Sequence, residues 1–379
     1  MAVYSKELIS RAGERVAGAL GVLLGSLLMM WGTTWDIQWH VRVGRDSFLI
    51  PPHLVLYAGL MVIIGTVGVL ILRETLAPAT GGISLLGLRA GAGTWLSAAG
   101  TATMLLAAPF DDWWHRTFGL DVTLWSPPHL MGVAGAAIIL CGALATLGFE
   151  LGRGALTPGG TRWAWTGLLV GFGLLMGPFN LAIQPASRLS VLTVGAGPFL
   201  YPLLAALALP PVLAASRAAT FRRWGALTTA LIAFGLAIVA NQFAVLGFRV
   251  VFPSGLPDGG VRLGPALGVL RMLPLLPALT LDVLAGPPGL GRWRDALGAT
   301  GWAAVLLVEV MLIQGRITGS LPMGSALAVF PPMALVAILS AAVGSWIGGR
   351  IAAPTHVPQP ESISPRQDLQ QWGSPGGQG

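Results

Sequence analysis

Apolar segments of about 20 residues recur along this chain from Gly13 to Gly348, with short polar stretches between them. A helix of that length spans the hydrocarbon core of a bilayer, because each residue adds about 1.5 Å of rise. The pattern therefore predicts an all-α polytopic membrane bundle of about ten transmembrane helices, built from repeated helical hairpins. The predicted spans cover residues 13–35, 52–73, 91–110, 128–149, 162–184, 191–215, 224–248, 264–285, 297–315 and 324–348.

The overall composition favours the same class. The chain is 54% hydrophobic and 10% charged, whereas a soluble domain carries about 25% charged residues. Its 53 glycines and 28 prolines also fit, since both are commoner in membrane helices than in soluble ones. Cys141 is the single cysteine, so an internal disulfide is excluded. The net charge of +7 is spread along the chain and does not predict binding to nucleic acid.

The distribution of basic residues predicts the orientation. Loops on the same side as the N-terminus carry about twice as many Lys and Arg residues as the opposite loops. Both termini are therefore expected in the cytoplasm, with the protein integral to the cytoplasmic membrane. The expected regions are a cytoplasmic N-terminus (1–12), two duplicated helical hairpins (13–149), further hairpins with about six helices (150–350) and a disordered cytoplasmic tail rich in Pro, Gln, Ser and Gly (351–379).

Four of the five histidines fall into two matching patterns. The first, within WDIQWHVRVGRDSFLIPPHL, has the spacing Asp-x3-His-x12-His. The second, within FDDWWHRTFGLDVTLWSPPHL, has the spacing Asp-x3-His-x13-His. We call the three residues of the first pattern set one and those of the second pattern set two. Set one is Asp36, His40 and His53, and set two is Asp111, His115 and His129.

The spacing of each set favours a metal site, and the predicted orientation places both sets near the outer face of the membrane. A four-residue offset places Asp and His on one face of a helix, and the second His opens the next helix directly after Pro-Pro, a dipeptide suited to a first helical turn. The dipole at the end of the first helix disfavours an anion, which a bound cation would offset. Two imidazoles and one carboxylate suit copper, zinc or iron and leave coordination positions open.

Neighbouring acidic residues leave alternatives open. Asp46 and Asp121 follow the histidines at matching positions. They are candidates either to orient an imidazole from outside the ligand shell or to pair with Arg45 and Arg116. Asp112 stands three residues before His115 and is an alternative to Asp111 as the carboxylate ligand of set two. The simpler interpretation is that these His and Asp side chains only meet water at the membrane interface.

Other polar and aromatic residues lead to structural expectations. Arg271 and Glu309 fall at similar depth in neighbouring spans, so we expect them to form a structural ion pair. Asp282 is expected to reach the membrane interface. In a third, weaker copy of the pattern, Asn180 and Gln184 take the places of Asp and His. The tryptophans near both sets favour an interfacial belt over a redox relay, namely Trp35, Trp39, Trp113, Trp114 and Trp125.

Residues 13–149 resemble the C-type membrane subunit of the copper membrane monooxygenases, the family of particulate methane and ammonia monooxygenase. RDSFLIPPH, which ends at His53, is similar to the segment that supplies the last histidine of a metal site in that family. A second family site has the spacing Asn-x3-His-x13-His, and set two matches it with Asp111 in place of Asn. The resemblance implies copper at both sets.

The resemblance also implies a function. As one component of an oxidoreductase, the protein would help to oxidise a small apolar substrate or ammonia with O2, together with partner subunits. Self-association into a homo-oligomer is a further expectation. The alternatives are a non-catalytic metal carrier, transporter or storage protein, and a polytopic scaffold.

Overall fold

The computed structural model of the chain describes residues 2–44, 47–77, 82–119, 124–192, 200–255, 275–319 and 321–352. Within these ranges the chain forms ten α-helices and one two-stranded β-hairpin. The strands are β1 (Ile83–Leu85) and β2 (Leu88–Ala90). The helices are α1 (Ala2–Arg42), α2 (Pro51–Leu76), α3 (Ala92–Phe118), α4 (Pro127–Arg153), α5 (Pro158–Leu192), α6 (Leu200–Thr220), α7 (Gly225–Val251), α8 (Leu275–Ala285), α9 (Arg292–Thr318) and α10 (Met323–Ala352).

The all-α membrane bundle predicted from the sequence is confirmed. Among the described residues, 8 helices are long and apolar enough to cross a membrane, and each of the ten predicted spans overlaps a helix. α3 is less apolar because its buried face consists largely of Gly, Ser and Thr. α8 has 11 residues within the described part of the chain. α1 and α3 extend beyond their predicted ends, so both Asp-x3-His pairs lie on regular helix.

The first four helices form two antiparallel hairpins, α1–α2 and α3–α4, whose helices touch at their backbones. A Cβ added to Gly25 would lie 2.7 Å from the carbonyl oxygen of Gly59, and one added to Gly100 would lie 2.7 Å from that of Gly135. Such approaches require glycine on both helices, as in other small-residue contacts between membrane helices. The glycine contacts therefore set how closely the two helices of each hairpin approach.

These glycine pairs extend the internal repeat beyond the histidine pattern. Gly25 and Gly100 stand the same distance before the aspartate of their set, and Gly59 and Gly135 stand the same distance after its second histidine. The two helical hairpins therefore share a helix-to-helix register as well as a sequence motif.

A buried ionic cluster joins three of these helices at the end of the bundle where α1 begins. The guanidinium of Arg15 contacts a carboxylate oxygen of Glu74 on α2 at 3.2 Å and one of Glu150 on α4 at 3.0 Å. Because α2 and α4 end there, the loops that connect each helical hairpin lie at the opposite end. Set one and set two are then on the same face of the bundle, about 30 Å from Arg15 along the helices.

The remaining helices pack around this four-helix unit. α5 lies between α4 and α6, α6 packs along α10, and α8 packs along α9. A Cβ added to Gly344 would collide with the carbonyl oxygen of Pro211, so the backbones of α6 and α10 also touch directly.

Asp282 was expected to reach the membrane interface, and its side chain is fully buried between α6, α7 and α8. Its Oδ1 lies 3.0 Å from Nε of Arg217, and the backbone N–H groups of Ala226 and Leu227 donate to its carboxylate at 3.4 and 2.7 Å. The carboxylate thus satisfies first-turn donors of α7 that lack partners within that helix. The ion pair and the two hydrogen bonds offset part of the cost of burying this carboxylate.

Two other expectations fall on residues that are not described. Arg271, the predicted partner of Glu309, lies outside the described ranges, while Glu309 is on α9 and is half-buried. The tail from residue 353 onward also lies outside them.

Candidate metal centres

Set one comes together where α1 ends and α2 begins. Asp36 and His40 lie on the last turns of α1, and His53 lies on the first turn of α2. Oδ1 of Asp36 is 3.5 Å from Nε2 of His40 and 3.2 Å from Nε2 of His53. This Oδ1 atom is buried and accepts no hydrogen bond from the part of the chain that the structure describes. The three side chains therefore converge on one point.

Set two repeats the arrangement at the junction of α3 and α4. Oδ2 of Asp111 is 3.7 Å from Nδ1 of His115, and Oδ1 is 3.4 Å from Nε2 of His129. The two imidazole rings lie 5.9 Å apart between centroids, at 74° to one another.

The separations between donor atoms fit a shared cation. In each set, one ligand atom from each of the three residues lies within 4.8 Å of the other two. A metal ion binds imidazole nitrogen and carboxylate oxygen at about 2.0–2.2 Å, so two donors in tetrahedral arrangement stand about 3.4 Å apart. The measured nitrogen-to-oxygen distances of 3.2–3.7 Å bracket this value.

The local sequence explains why the second histidine reaches its partners. Pro51 and Pro127 begin α2 and α4, and the residues before them, Ile50 and Ser126, have extended backbone. Proline restricts the preceding residue to this conformation and suits the first helical turn. His53 and His129 therefore occupy the same position in the first turn of the returning helix.

Each set is partly open to its surroundings. In set one, the side chain of His40 is 42% exposed and that of His53 is 19% exposed. In set two, Asp111 and His129 are 31% and 32% exposed. A cation held by three protein ligands in such a position keeps room for water or a small molecule, as in other open metal sites.

The structure separates Asp112 from set two. Its carboxylate lies 2.8 Å from Nη2 of Arg116, one turn along α3 on an exposed face. Asp111 is therefore the carboxylate that contacts both histidines. Asp46 and Asp121, the candidates for orienting the imidazoles, lie outside the described residues.

The expectation that all the nearby tryptophans form an interfacial belt is wrong for Trp35 and Trp39. Their side chains are 5% and 6% exposed and pack with Phe248 of α7 in a small aromatic cluster. By contrast, Trp113 is 52% exposed, as a belt residue would be. Trp125 is anchored within the protein, since its indole N–H donates to the carbonyl oxygen of Ala182 at 2.7 Å. The side of α1 that carries Trp35 and Trp39, next to set one, is therefore covered by α7 and not by lipid.

A buried hydrogen bond adds to this support. The side-chain N–H of Gln38 donates to Oδ1 of Asn241 on α7 at 3.0 Å, and both residues are buried. Gln38 lies between Asp36 and His40 on α1. The packing of α7 against α1 beside set one was not predicted from the sequence. Asn241, a side-chain amide within an apolar helix, was the sequence feature that indicated a polar contact there.

The third copy does not repeat the chemistry of the first two. The side-chain N–H of Asn180 donates to the carbonyl oxygen of Met176 on its own helix at 2.9 Å. Within the described ranges, groups of three or more His, Cys, Asp or Glu residues with convergent ligand atoms occur at set one and set two alone.

Comparisons with protein-family models, with curated proteins and with solved structures found no match for this chain. Two imidazoles and one carboxylate at a membrane surface can hold a divalent transition metal and leave coordination positions open.

Proposed function

We propose that this protein is a membrane copper-binding protein that holds one ion at set one and one at set two. The observation that supports the proposal most strongly is the duplicated convergence of one carboxylate oxygen and two imidazole nitrogens within 4.8 Å. The same convergence on two helical hairpins of matching register argues against a chance meeting of interfacial side chains.

The donor chemistry supports copper ahead of the alternatives. Among the first-row divalent metals, copper binds a given nitrogen and oxygen site most tightly, and imidazole suits copper, zinc and iron. The resemblance of residues 13–149 to the C-type membrane subunit of the copper membrane monooxygenases favours the same metal. Zinc and iron are the alternatives that metal analysis would distinguish.

The proposed activity is oxidation of a small apolar substrate or ammonia with O2, in a complex with partner subunits. Bound copper would supply the electron transfer to oxygen. The chain itself would hold the ion through the two histidines of each set, balance its charge with Asp36 or Asp111, and leave positions open toward the membrane surface. Apolar substrates concentrate in the bilayer, so a site at its boundary is well placed to receive them.

The proposed orientation places both termini in the cytoplasm and both sets at the outer face. It is supported by the excess of Lys and Arg in the loops on the N-terminal side. Labelling of intact cells by a membrane-impermeant thiol reagent tests it, with single cysteines introduced at Ser47 or Thr157 in a Cys141→Ala background. Labelling at residue 47 and protection at residue 157 is the expected result.

Metal content of the purified protein tests the binding proposal. Wild-type protein is expected to hold about two copper ions per chain after loading with copper and desalting, whereas His40→Ala and His115→Ala should each hold about one and the double variant almost none. His356→Ala removes the one histidine outside both sets and is the matched control. Wild-type protein without bound metal, or the double variant with undiminished metal, would overturn the proposal.

A separate experiment distinguishes an oxygenase from a carrier or storage protein. Membranes with the copper-loaded complex and an electron donor are incubated with a small hydrocarbon or ammonia under O2, and products are compared with those of the double variant. Product that requires both O2 and intact sets supports the activity. Two tightly bound copper ions without any product would favour the non-catalytic alternative.

A further inference from the structure

The β-hairpin between α2 and α3 presents an apolar face that the protein leaves largely exposed. Its strands pair with Ile83 opposite Ala90 and Leu85 opposite Leu88. Alternate residues of a strand point to opposite faces, so Ile83, Leu85 and Leu88 share one face while Ser84 and Arg89 lie on the other. The side chains of Ile83 and Leu85 are each 51% exposed, and that of Leu88 is 42% exposed. The β-hairpin is therefore amphipathic, and its apolar face is exposed at Ile83, Leu85 and Leu88, whereas Ala90 on the same face is buried.

The turn of this β-hairpin is strained around a leucine. Leu86 and Gly87 form the two-residue loop and have φ angles of +52° and +78°. Asn and Gly are the usual residues where both φ angles are positive, whereas a bulky side chain is disfavoured there. Leu86 is 93% exposed, so contacts within the protein do not compensate for the strain. Strain of this kind points to a function for the side chain that is displayed.

Both ends of the β-hairpin are fixed to membrane helices. The hydroxyl of Thr75 on α2 donates to the carbonyl oxygen of Ile71 at 2.6 Å and accepts from the Arg89 backbone N–H at 2.8 Å, which ties β2 to α2. The indole N–H of Trp95 on α3 donates to the carbonyl oxygen of Ile83 at 3.0 Å. Tryptophan is typical of the membrane interface. The β-hairpin is thus held at the ends of α2 and α3, opposite the two sets.

An exposed apolar stripe on α2 runs along that helix to the β-hairpin. Val69, Leu72 and Leu76 follow one another at helical spacing on this apolar helix and are 52%, 54% and 75% exposed. Leu76 is the last residue of α2, the helix that leads into the β-hairpin. From this continuity, the strained exposed leucine and the interfacial tryptophan, we infer that the β-hairpin inserts its apolar face into the acyl-chain boundary of the adjacent bilayer leaflet and anchors the protein there.

A nitroxide label tests this inference in lipid vesicles. Leu86→Cys and the matched control Ser84→Cys are made in a Cys141→Ala background, labelled, and reconstituted into phosphatidylcholine–phosphatidylglycerol vesicles. O2 concentrates in the acyl chains, whereas a charged nickel chelate stays in water. The ratio of O2 to nickel collision rates is expected to be several-fold higher at residue 86 than at residue 84. Leu85→Cys repeats the measurement at a second apolar position and protects the test against misfolding of one variant.

Two results would overturn the inference. A label at residues 85 and 86 that meets the nickel chelate as readily as the label at residue 84 would place the β-hairpin in water. A label shielded from both reagents would show that a second copy of the chain or another protein covers this face. Neither result depends on whether the two sets bind metal.

Discussion

Trp39 and Phe248 stack with their ring centroids 6.0 Å apart and their ring planes inclined by 12°. Trp39 directly precedes His40, so this contact joins the last turns of α1 to α7. At the equivalent position of set two, Trp114 packs against Phe118 of its own helix, with centroids 4.4 Å apart. The two sets thus share their ligands but differ in what supports them, because a separate helix backs set one.

Removal of Phe248 should weaken metal binding at set one. Phe248→Ala leaves a void behind Trp39, and the looser last turn of α1 should lower copper affinity at set one by up to about tenfold, the lower end of the loss seen when a partner of a ligand is removed. Copper affinity is measured by competition with a chelator, at set one in a His115→Ala background and at set two in a His40→Ala background. Leu246→Ala on the same helix, at a side chain that is 52% exposed, is the control. Equal weakening of both sets would contradict this prediction.

A substitution that pushes α1 and α2 apart should abolish metal binding at set one and leave metal binding at set two intact. A leucine at position 59 collides with the backbone of α1, since a Cβ on Gly59 already lies 2.6 Å from the carbonyl oxygen of Gly25. Gly59→Leu is expected to retain about one copper ion per chain, held at set two. Gly65→Leu is the control, because no atom lies within 4 Å of a Cβ on Gly65. Metal analysis of the purified variants gives the copper content per chain. Two copper ions retained by Gly59→Leu would contradict the prediction.

Loss of Arg15 should destabilise the whole four-helix unit. Arg15→Ala leaves Glu150, whose side chain is 1% exposed, without its cation. Truncation of one partner of a buried ion pair costs about 3–5 kcal/mol, so the unfolding temperature in detergent should fall markedly. Arg73→Ala removes a pair with Glu14 whose side chains are 61% and 44% exposed, and should cost less than about 1 kcal/mol. Similar unfolding temperatures for the two variants would contradict the predicted contribution of the ionic cluster to stability.

Asp282 should prove essential for the packing of α6, α7 and α8. Asp282→Ala removes the partner of Arg217, whose side chain is 6% exposed, and leaves first-turn donors of α7 unsatisfied. The expected loss in the free energy of unfolding is about 3–5 kcal/mol, as for other broken buried pairs.

A double variant separates the cost of leaving Arg217 without its anion from the cost of losing the hydrogen bonds to α7. If the cost of Asp282→Ala comes from an uncompensated cation, Arg217→Met should restore part of the lost stability in the same chain. Asp112→Ala, which breaks an exposed pair with Arg116, is the control and should have little effect. No recovery in the double variant would show that the hydrogen bonds to α7 carry the effect.

Local rules were enough to predict the convergence of each set. Asp36 and His40 share a helix face because they are four residues apart, and Pro51 fixes where the next helix begins. These relationships need only neighbouring residues, and they recur at Asp111, His115 and Pro127. The apolar runs likewise predicted the membrane bundle, because bilayer thickness sets helix length.

Contacts between distant segments were not visible in the same way. No partner was predicted for Arg15 and Asp282 was expected at the interface, whereas both contact partners far along the chain. Trp35 and Trp39 were expected to meet the interface but face α7. Lipid is as apolar as the protein interior, so composition does not reveal which face of a membrane helix is turned to protein and which to lipid.

The sequence by itself thus determined the helical class and the local geometry of two Asp-His-His sets, because helix periodicity and proline act over a few residues. The tertiary structure alone decided that α7 supports only the first set through Trp39, and that the leucines of the β-hairpin stay uncovered. Those features depend on which helices meet, and small-residue contacts such as Gly25 with Gly59 select the meeting helices through shape and not through polarity.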